Sequence, residues 1–396
     1  MTRAVLIALL SLSTLATSAS AQSIFSARGF GVPLAPLDPR SQALGGIGIG
    51  LLDGSQSIIN PAELDDYPFR GAIVSMQSLS RELHLDGLKA DIESSRFPLL
   101  RIIYPVGERL SLGVGYGGFL DQSWSVSTSH EGIVGGETVE IRDLVSADGG
   151  IGQLRVALSY AITPTLAIGV DGGIYSGSLD ERIAREFGSG APSGIESVER
   201  KQSWTQKAPL ASIGIRWDPA PIARISGSLT WAGDLERTPG EAPLTGIGTP
   251  QQVEKVKMPL QAAFGASAYF VPGLLGSVSA RWAGWGSAAD SFDPNVRPDD
   301  TWEYGLGFEW TRMEFGNTGV PLRFGYHRAD LPFSYNGVRP RESSFTFGFG
   351  LHFSRTSFGP LASIDAAIEK GERIARGTGL SESFWRFTLG MGVFGR

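Results

Sequence analysis

The stretch from Leu44 to Leu64, LGGIGIGLLDGSQSIINPAEL, crowds glycines ahead of an Asn-Pro-Ala sequence. Glycine-rich loops can bind phosphate through backbone N–H groups. Such a loop needs a preceding strand and a long following helix, or a Gly-Lys-Ser/Thr sequence that supplies a phosphate-binding lysine. The chain provides neither around this stretch. The residue types therefore argue against nucleotide chemistry, and leave a flexible linker or a tightly packed piece of a larger structure.

The end of this stretch predicts one short helical turn. Asn60 is a good N-cap residue, Pro61 suits the first helical position, and Glu63 stands where a capping-box carboxylate would reach back to the cap. Upstream, several glycines allow positive φ angles or close packing, which a chain folded tightly in a confined space requires: Gly45, Gly46, Gly48 and Gly50.

Residues that could hold a metal or catalyse a reaction show no recognisable spacing. The histidines are scattered without a metal-ligand pattern, and the chain has no cysteine and no Gly-x-Ser-x-Gly elbow. We therefore predict no catalytic residue, no metal and no cofactor. A Ser-His-acid site assembled across distant strands would leave no local motif, so an enzyme of the lipase or acylase type stays as an alternative. The histidines are His84, His130, His327 and His352.

The first residues predict export. Met1-Thr2-Arg3 precedes an apolar run that ends in Ala19-Ser20-Ala21, a pattern typical of a signal-peptidase site, so residues 1–21 are interpreted as a cleaved signal peptide. No later run reaches the roughly 18 to 20 uninterrupted apolar residues that a spanning helix requires. An exported chain of this size without disulfides suits a bacterial envelope.

The composition favours a long β structure. Glycine accounts for 53 of 396 residues, and charged residues account for 19%. Average proteins contain roughly 7% glycine and about a quarter charged residues, so many close backbone contacts are expected. The net charge of −6 argues against a nucleic-acid partner, because a phosphate-binding face needs a basic excess.

Strict alternation of apolar and small or polar residues dominates the chain after residue 68. In SSFTFGFGLHF, residues 343–353, four phenylalanines and a leucine share one face. We predict fourteen strands joined by alternating short and long connections, which is typical of a transmembrane antiparallel β-barrel and not of a Greek-key sandwich. The predicted strands are 68–78, 95–104, 110–128, 137–160, 165–182, 200–217, 222–236, 256–270, 274–287, 300–312, 320–329, 342–354, 360–370 and 382–395.

The same alternation sends a set of charged residues to the interior of the barrel. An arginine that faces lipid at mid-membrane costs about 2–4 kcal/mol, so the lumen is the favourable place for these side chains. They could form an ion-pair network that stiffens the barrel and anchors a segment inside it. Alternatively, one arginine could bind the carboxylate head group of a ligand. The inward set is Arg155, Arg216, Arg224, Arg323, Arg386, Asp171, Glu303, Glu309 and Asp365.

The stretch ALGGIGIGLLDGSQSIINPAEL resembles the N-terminal motif of the FadL/TodX-type outer-membrane transporters of long-chain fatty acids and other hydrophobic compounds, and of their PorV-like relatives. Weaker resemblances follow in order downstream, in MPLQAAFGASAYF, VSARWAGWGSAADSF and VPLRFGYHRADLPF, and so cover nearly the whole mature chain. The residues at the matching positions of the motif are Ala43, Gly45, Gly46, Asp53, Asn60, Pro61, Ala62 and Leu64.

The resemblance implies a fourteen-stranded barrel, residues 68–396, with residues 22–67 as an N-terminal hatch inside the lumen. We call residues 22–67 the hatch segment. It further implies that ligands are captured among the outer loops and leave when the hatch shifts or through a gap made by a distorted third strand. Gly113, Gly115, Gly117 and Gly118 could permit that kink, or could merely make room for neighbouring side chains. The residues predicted to line the lumen or the ligand path are Phe119, Trp124, Arg155, Arg216, Arg224 and Arg323.

The expected function is therefore an outer-membrane channel for hydrophobic molecules that is gated by the hatch segment. The alternative is a PorV-like barrel that serves protein or lipid export as a binding or shuttle component. The expected partners are outer-membrane lipid, a hydrophobic small molecule and, during biogenesis, the barrel-assembly machinery, with no nucleic acid. The protein is expected to be a monomer.

Overall fold

Fourteen antiparallel strands close into a barrel in a computed structural model that describes residues 23–27, 29–34, 37–67, 69–85, 88–188, 196–240, 252–292, 296–356 and 359–395. The predicted signal peptide lies outside these residues. The ring closes where Arg70 pairs with Gly395. The strands are β1 Arg70–Leu85, β2 Leu88–Pro105, β3 Leu110–Asp121, β4 Glu137–Thr163, β5 Leu166–Phe187, β6 Val198–Ala220, β7 Ala223–Ala232, β8 Gln261–Val271, β9 Leu274–Ala283, β10 Thr301–Trp310, β11 Leu322–Asp330, β12 Arg341–Thr356, β13 Gly359–Ala375 and β14 Leu380–Gly395.

The strand prediction and the all-β barrel fold are confirmed, since each predicted strand overlaps one wall strand. The connections that follow even-numbered strands gather at one end of the barrel, which we call the turn end. The connections that follow odd-numbered strands, most of which are longer, gather at the other end, which we call the loop end. These long, regular strands form one closed ring. Closure pairs every wall strand on both sides and so removes the free edges that an open sheet would have.

The two faces of the wall differ as the alternation predicts. Along β10, Glu303 and Glu309 are buried, whereas Trp302, Leu306 and Trp310 are exposed. The same split recurs around the ring, so the outer surface is a continuous belt of large apolar side chains. A soluble protein rarely exposes so large an apolar surface, and the belt therefore faces lipid.

Three predicted strands end four or more residues earlier than expected. β3 ends at Asp121 because the amide of Gln122 donates to the Gly149 carbonyl and turns the chain, and Trp124–Val134 then pairs further along β4 as a separate strand. After β7, Leu235–Pro239 crosses to pair with β6. β9 ends at Ala283, where a 3₁₀ helix begins. In the first two cases, hydrogen bonds to residues distant in the chain override the local alternation.

The described part of the hatch segment runs through the lumen from the loop end to the turn end. Its elements are two 3₁₀ helices, Ile24–Ala27 and Pro61–Asp66, a two-residue strand, Val32–Pro33, and one short helix, α1, Pro39–Ala43. Asp38 caps α1 by accepting a hydrogen bond from the Ser41 amide. Among the described residues, no helix is both long and apolar enough to cross a membrane.

Candidate functional site in the lumen

The hatch glycines lie where backbone meets backbone. Gly45 has a φ of +60°, and a side chain there would overlap the backbone of Tyr326 on β11. A Cβ on Gly46 would lie 3.2 Å from the hydroxyl of Ser279 on β9. Asp53 also has a positive φ, +61°, and accepts a hydrogen bond from the Tyr269 hydroxyl near the turn end. The segment is therefore seated directly on the inner wall.

The inner wall also carries glycines where it contacts the hatch segment. A Cβ on Gly305 or Gly307 of β10, or on Gly325 of β11, would overlap the hatch backbone at residues 44–46. Because a glycine has no side chain, the hatch backbone can approach the strands this closely. This arrangement accounts for part of the glycine excess in the sequence. Other wall glycines that meet the hatch are Gly113, Gly115, Gly117, Gly118, Gly169, Gly214, Gly265, Gly348 and Gly390.

The Asn-Pro-Ala sequence fixes the hatch to β6. The Asn60 Oδ1 accepts from the Ala62 amide at 3.0 Å, and its Nδ2 donates to the Ile215 carbonyl at 3.1 Å. Pro61 opens the 3₁₀ helix as predicted. The expected capping box is wrong: the Glu63 carboxylate accepts from the Gly50 amide at 2.7 Å instead of reaching back to Asn60. The buried Gly50 N–H of the adjoining hatch turn needs a partner, and Glu63 supplies it.

Two arginines of the wall hold the carboxylates of the hatch. Arg216 Nη1 lies 2.9 Å from Asp65 and 2.9 Å from Asp66, and Arg224 Nη1 lies 2.6 Å from Asp66. Arg224 is shared with Asp218 of β6 at 2.7 Å. Burial raises the pKa of the Asp65 carboxyl to about 7, although Arg216 acts in the opposite direction. The predicted inward arginines Arg216 and Arg224 thus contact the hatch segment.

A second anchor links the hatch to the opposite side of the wall. Arg40 of α1 donates to Glu309 of β10 at 2.8 Å and to the Leu52 carbonyl at 2.9 Å. Arg323 of β11 pairs with Glu309 at 3.1 Å and with Asp365 of β13 at 2.6 Å. Strand alternation does not single out Arg40, which precedes the first wall strand. The usable signal is that an arginine in a segment expected to be enclosed needs a carboxylate partner.

A cavity of about 560 Å³ opens at the turn end, below the hatch. Its lining is rich in charge: Asp53, Asp66, Arg224, Glu309 and His352 all face it. Apolar side chains such as Leu52, Phe69 and Phe394 line it as well, so the chamber is of mixed polarity.

Two smaller cavities lie toward the loop end, with volumes of about 40 and 30 Å³. Phe119, Gln261 and Arg281 line both and so mark their junction. The Phe119 ring packs against Tyr175 with centroids 4.4 Å apart. The surrounding core is rich in aromatic and large apolar side chains, including Phe30, Trp285, Phe292, Phe333, Leu235 and Met258.

Two other residues predicted to line the ligand path fall in different places. Arg155 lines the lower of the two cavities and pairs with Asp171 at 3.1 Å. Trp124 instead packs with Leu179 and Trp204 in the sheet that extends beyond the barrel at the loop end. The barrel lumen therefore contains Phe119 and Arg155, whereas Trp124 lies outside both loop-end cavities.

The wall has a slot between β2 and β3. Their pairing runs from Pro105 opposite Ser111 only as far as Leu99 opposite Gly117, and the described residues 94–98 have no partner on β3. Pro98 stands at this boundary and has no N–H to donate. Pro98 lies within the predicted second strand, and a proline within a strand pattern is a known sign of interrupted pairing, so the slot could have been predicted from this residue.

The third strand is irregular at the slot. Its register with β4 shifts between Gly118 and Leu120, which is a bulge at Phe119. Beyond the bulge, the hatch occupies the free edge of β3: Val32 pairs with Asp121, Pro33 with Leu120, and the Leu34 amide donates to the Phe119 carbonyl at 2.8 Å. The hatch segment thus covers this part of the slot.

The four glycines predicted to form the kink also touch the hatch. A Cβ on Gly113 would lie 2.5 Å from Leu64, and a Cβ on Gly118 would lie 2.8 Å from Leu34. Gly115 and Gly117 face Ile58 in the same way. β3 therefore shows both features that the sequence suggested for these glycines: the strand is irregular, and the glycines make room for neighbouring side chains.

One group of residues has the atom types of a metal site. Ligand atoms of His327, Glu342 and Glu369 lie within 4.8 Å of one another among the described residues. Their carboxylates already hold arginines, since Arg373 Nε lies 2.6 Å from Glu342 and Arg386 Nη1 lies 3.0 Å from Glu369. The group therefore belongs to an ion-pair network of the inner wall.

The closed ring of fourteen strands with an N-terminal segment packed against its inner wall defines a β-barrel of the outer-membrane type. The family model described as BamG matches residues 1–210, which is more than half of the chain, and the protein belongs to that family. No curated protein sequence matches the chain.

Solved structures share this fold at low sequence identity. A Pseudomonas aeruginosa FadL homologue is 12% identical with a TM-score of 0.61, over 92% of this chain and 99% of that chain. The monoaromatic hydrocarbon channel CymD is 18% identical with a TM-score of 0.57, over 92% and 98%. The Ralstonia pickettii toluene transporter TbuX is 16% identical with a TM-score of 0.56, over 91% and 98%. These similarities show the fold.

Proposed function

We propose that the protein is an outer-membrane channel for small hydrophobic molecules and that the hatch segment gates it. The observation that carries this proposal is the position of Phe119, which lines both loop-end cavities and whose carbonyl also accepts from Leu34 beside the slot. A ligand in these cavities would contact the same residue that ties the hatch to the wall. The CymD channel and the TbuX transporter share the fold and are named for small hydrophobic compounds, which supports this proposal.

The loop-end cavities are the proposed place of ligand capture. Pockets for small ligands usually have volumes of about 300–1,000 Å³ and a mostly apolar lining with a few polar groups. The two cavities together are far smaller, so the structure corresponds to a closed state. A ligand must therefore displace side chains of the aromatic core or part of the hatch, and Phe119 is the residue at the junction.

The slot between β2 and β3 is the proposed exit. The other route, past the hatch into the turn-end cavity, would require the buried ion pairs at Glu309 and Asp66 that hold the hatch to break. The slot leads instead toward the lipid-facing side of the wall. Withdrawal of residues 32–34 from β3 would open it, and this same movement would release Phe119.

A reversible crosslink tests this route. The chain has no cysteine, so a disulfide can be placed without interference. Pro33 and Leu120 are directly opposed in the antiparallel pair, and the double variant Pro33→Cys, Leu120→Cys should lock the hatch to β3 on oxidation. We expect toluene flux into liposomes to be blocked when the barrel is oxidised and restored by reduction. A matched control is Ser127→Cys with Leu144→Cys, an opposed pair in the loop-end sheet.

Equal flux through the oxidised and reduced Pro33–Leu120 variant would reject the slot as the exit. Absence of toluene flux through the unmodified barrel would reject the channel itself. Removal of the predicted signal peptide can be checked separately by N-terminal sequencing of the protein from outer membranes, with Gln22 expected as the first residue.

A partner-binding barrel, the PorV-like alternative, is favoured by one feature of the loop end. The strand Trp124–Val134 pairs with β4 on one side, and no pairing on its other side occurs among the described residues. Unpaired N–H and C=O groups on such an edge can bind a strand from another protein. Deleting residues 124–134 should leave toluene flux intact if the protein is a channel. Loss of a co-purified protein in that variant would support the partner role.

A further inference from the structure

Arg281 is the cation that a ligand in the loop-end cavities would meet first. It lines both cavities, and 16% of its side chain is exposed. In the register of β9 and β10, Arg281 stands directly opposite Glu303, so both side chains project from the same inner face. Arg281 Nη2 donates to the Glu303 carboxylate. The strand pairing itself thus places a carboxylate on this arginine.

Glu303 is held from a second direction. Its Oε1 lies 2.9 Å from His327 Nε2 on β11, and only 7% of the residue is exposed. His327 Nδ1 lies 3.7 Å from Glu342, which pairs with Arg373 at 2.6 Å. The Glu303 carboxylate is therefore part of a buried chain of alternating charges along the inner wall, unlike a mobile surface side chain.

The other arginine that lines these cavities is also paired. Arg155 Nη1 lies 3.1 Å from Asp171 and donates to Ser212 at 2.7 Å, while its Nε donates to Gln153 at 2.9 Å. A ligand carboxylate would have to displace Asp171 or Glu303, and the displaced anion would stay buried without its cation. A buried charge that loses its partner is strongly unfavourable.

We propose that Glu303 is a specificity-determining residue. It occupies the position on Arg281 that a ligand carboxylate would take, and it thereby reserves the loop-end cavities for uncharged ligands. Neutral polar groups remain beside it, namely Gln261 and Thr301, and these can orient a hydroxyl or carbonyl group of a neutral hydrophobic molecule. This inference rests on the proposed function and narrows its ligand class to hydrocarbons and neutral alcohols or ketones, with ionised fatty acids excluded.

Brominated ligands provide a direct test, because bromine quenches tryptophan fluorescence and Trp285 lines the larger of the two loop-end cavities. The probes are 11-bromoundecanol and 11-bromoundecanoate at pH 8, titrated into the purified full-length barrel in detergent. The Trp285→Phe variant, titrated in parallel, supplies the background from the other tryptophans. We expect the alcohol to bind about tenfold or more tightly than the carboxylate, because the carboxylate meets an arginine that is already paired.

Glu303→Gln should change this selectivity. Glutamine keeps the shape and a hydrogen bond to His327 but frees Arg281, so affinity for the carboxylate should rise about tenfold while affinity for the alcohol stays within about twofold. The control Glu372→Gln removes the same charge from an exposed position of β13 and should change neither affinity. Heat-modifiable migration on gels reports whether each variant forms a closed barrel.

The outcomes separate the two proposals. Equal affinities of the unmodified protein for both probes, or a parallel shift of both in Glu303→Gln, would overturn the role of Glu303. The comparison within the unmodified protein stands by itself if Glu303→Gln does not form a barrel. Quenching by neither probe, with Trp285→Phe indistinguishable from the unmodified protein, would instead reject a ligand site in the lumen.

Discussion

The two halves of the lumen are built from different side chains. Toward the turn end, the inner wall presents glycines such as Gly265 and Gly307, and the hatch backbone fills the space they leave. Toward the loop end, large rings fill the lumen, such as Phe119 and Tyr175 of the wall and Trp285 of the 3₁₀ helix after β9, and small cavities remain among them. Both halves are enclosed by the same fourteen strands.

This difference indicates which contacts inside the lumen are rigid and which can rearrange. Backbone against glycine leaves no soft side chain to rearrange, and buried ion pairs at Glu309 and Asp66 add fixed geometry. Rings packed around small cavities can change rotamers, which creates space without moving strands. We therefore expect the turn-end half to hold the hatch and the loop-end half to respond to ligand.

The largest effect is expected from Arg40→Gln, which removes the ion pair from α1 to Glu309. Breaking a buried pair costs about 3–5 kcal/mol, although Arg323 still neutralises Glu309 and places the expected loss near the lower limit. Hydrogen exchange at residues 37–66 should accelerate strongly while the wall strands stay protected. Arg297→Gln, at an exposed ion pair, is the control. Unchanged exchange in Arg40→Gln would show that this anchor is dispensable.

Gly265→Val should come next, because its Cβ would overlap the Ile49 carbonyl of the hatch. Overpacking of this kind costs about 1–3 kcal/mol, so the unseated hatch should become about tenfold or more populated. Conductance or dye leakage through reconstituted barrels measures the change. Gly172→Val introduces the same side chain where nothing lies within 4 Å, and leakage should match the unmodified protein. Equal leakage of both variants would contradict the glycine contact as the seat of the hatch.

Asn60→Ala should have a moderate effect. Loss of the cap on Ala62 costs about 1 kcal/mol, and the hydrogen bond to the Ile215 carbonyl is lost as well. Leakage should increase several-fold while the barrel still inserts into the membrane. A variant that fails to insert would instead indicate that the hatch is needed for folding and that gating is not its main role.

Hatch docking should also depend on pH through Asp65. Its pKa is about 7 when docked, against about 3.9 for a free aspartate, so the docked hatch binds the proton more tightly. Docking is therefore favoured at low pH and weakens as the pH rises from about 4 to about 7. Leakage should increase across this window and level off above it. Asp65→Asn should flatten the profile, and an unchanged profile would assign the dependence to another group.

Much of the fold could be predicted because a barrel wall is a local pattern repeated fourteen times. Alternation predicts each strand, as in Thr301–Trp310, and short connections predict which strands are neighbours in the sheet. The end of β3 could not be predicted, because its alternation continues past Asp121, whereas the chain turns where the Gln122 amide donates to the Gly149 carbonyl of β4. Nothing local to residues 110–128 records that contact.

The site was predicted less completely than the fold. Alternation correctly sends Arg216 and Arg323 inward, but their partners lie on strands or hatch turns far along the chain. Their predicted contact with a ligand stays a prediction. Likewise, Asn60 is recognisable as a cap, whereas its bond to Ile215 needs the hatch to be folded against β6.

Residue order alone specifies the period-two strands, the apolar outer face, the connections and the glycine-rich segment before the first strand. These follow from steric and solvation rules that act within a few residues. Three contacts arise only in the folded barrel: Arg281 holds Glu303, the hatch covers the edge of β3, and Phe119 joins both features. Such contacts depend on strand register around a closed ring, which one-dimensional spacing does not encode.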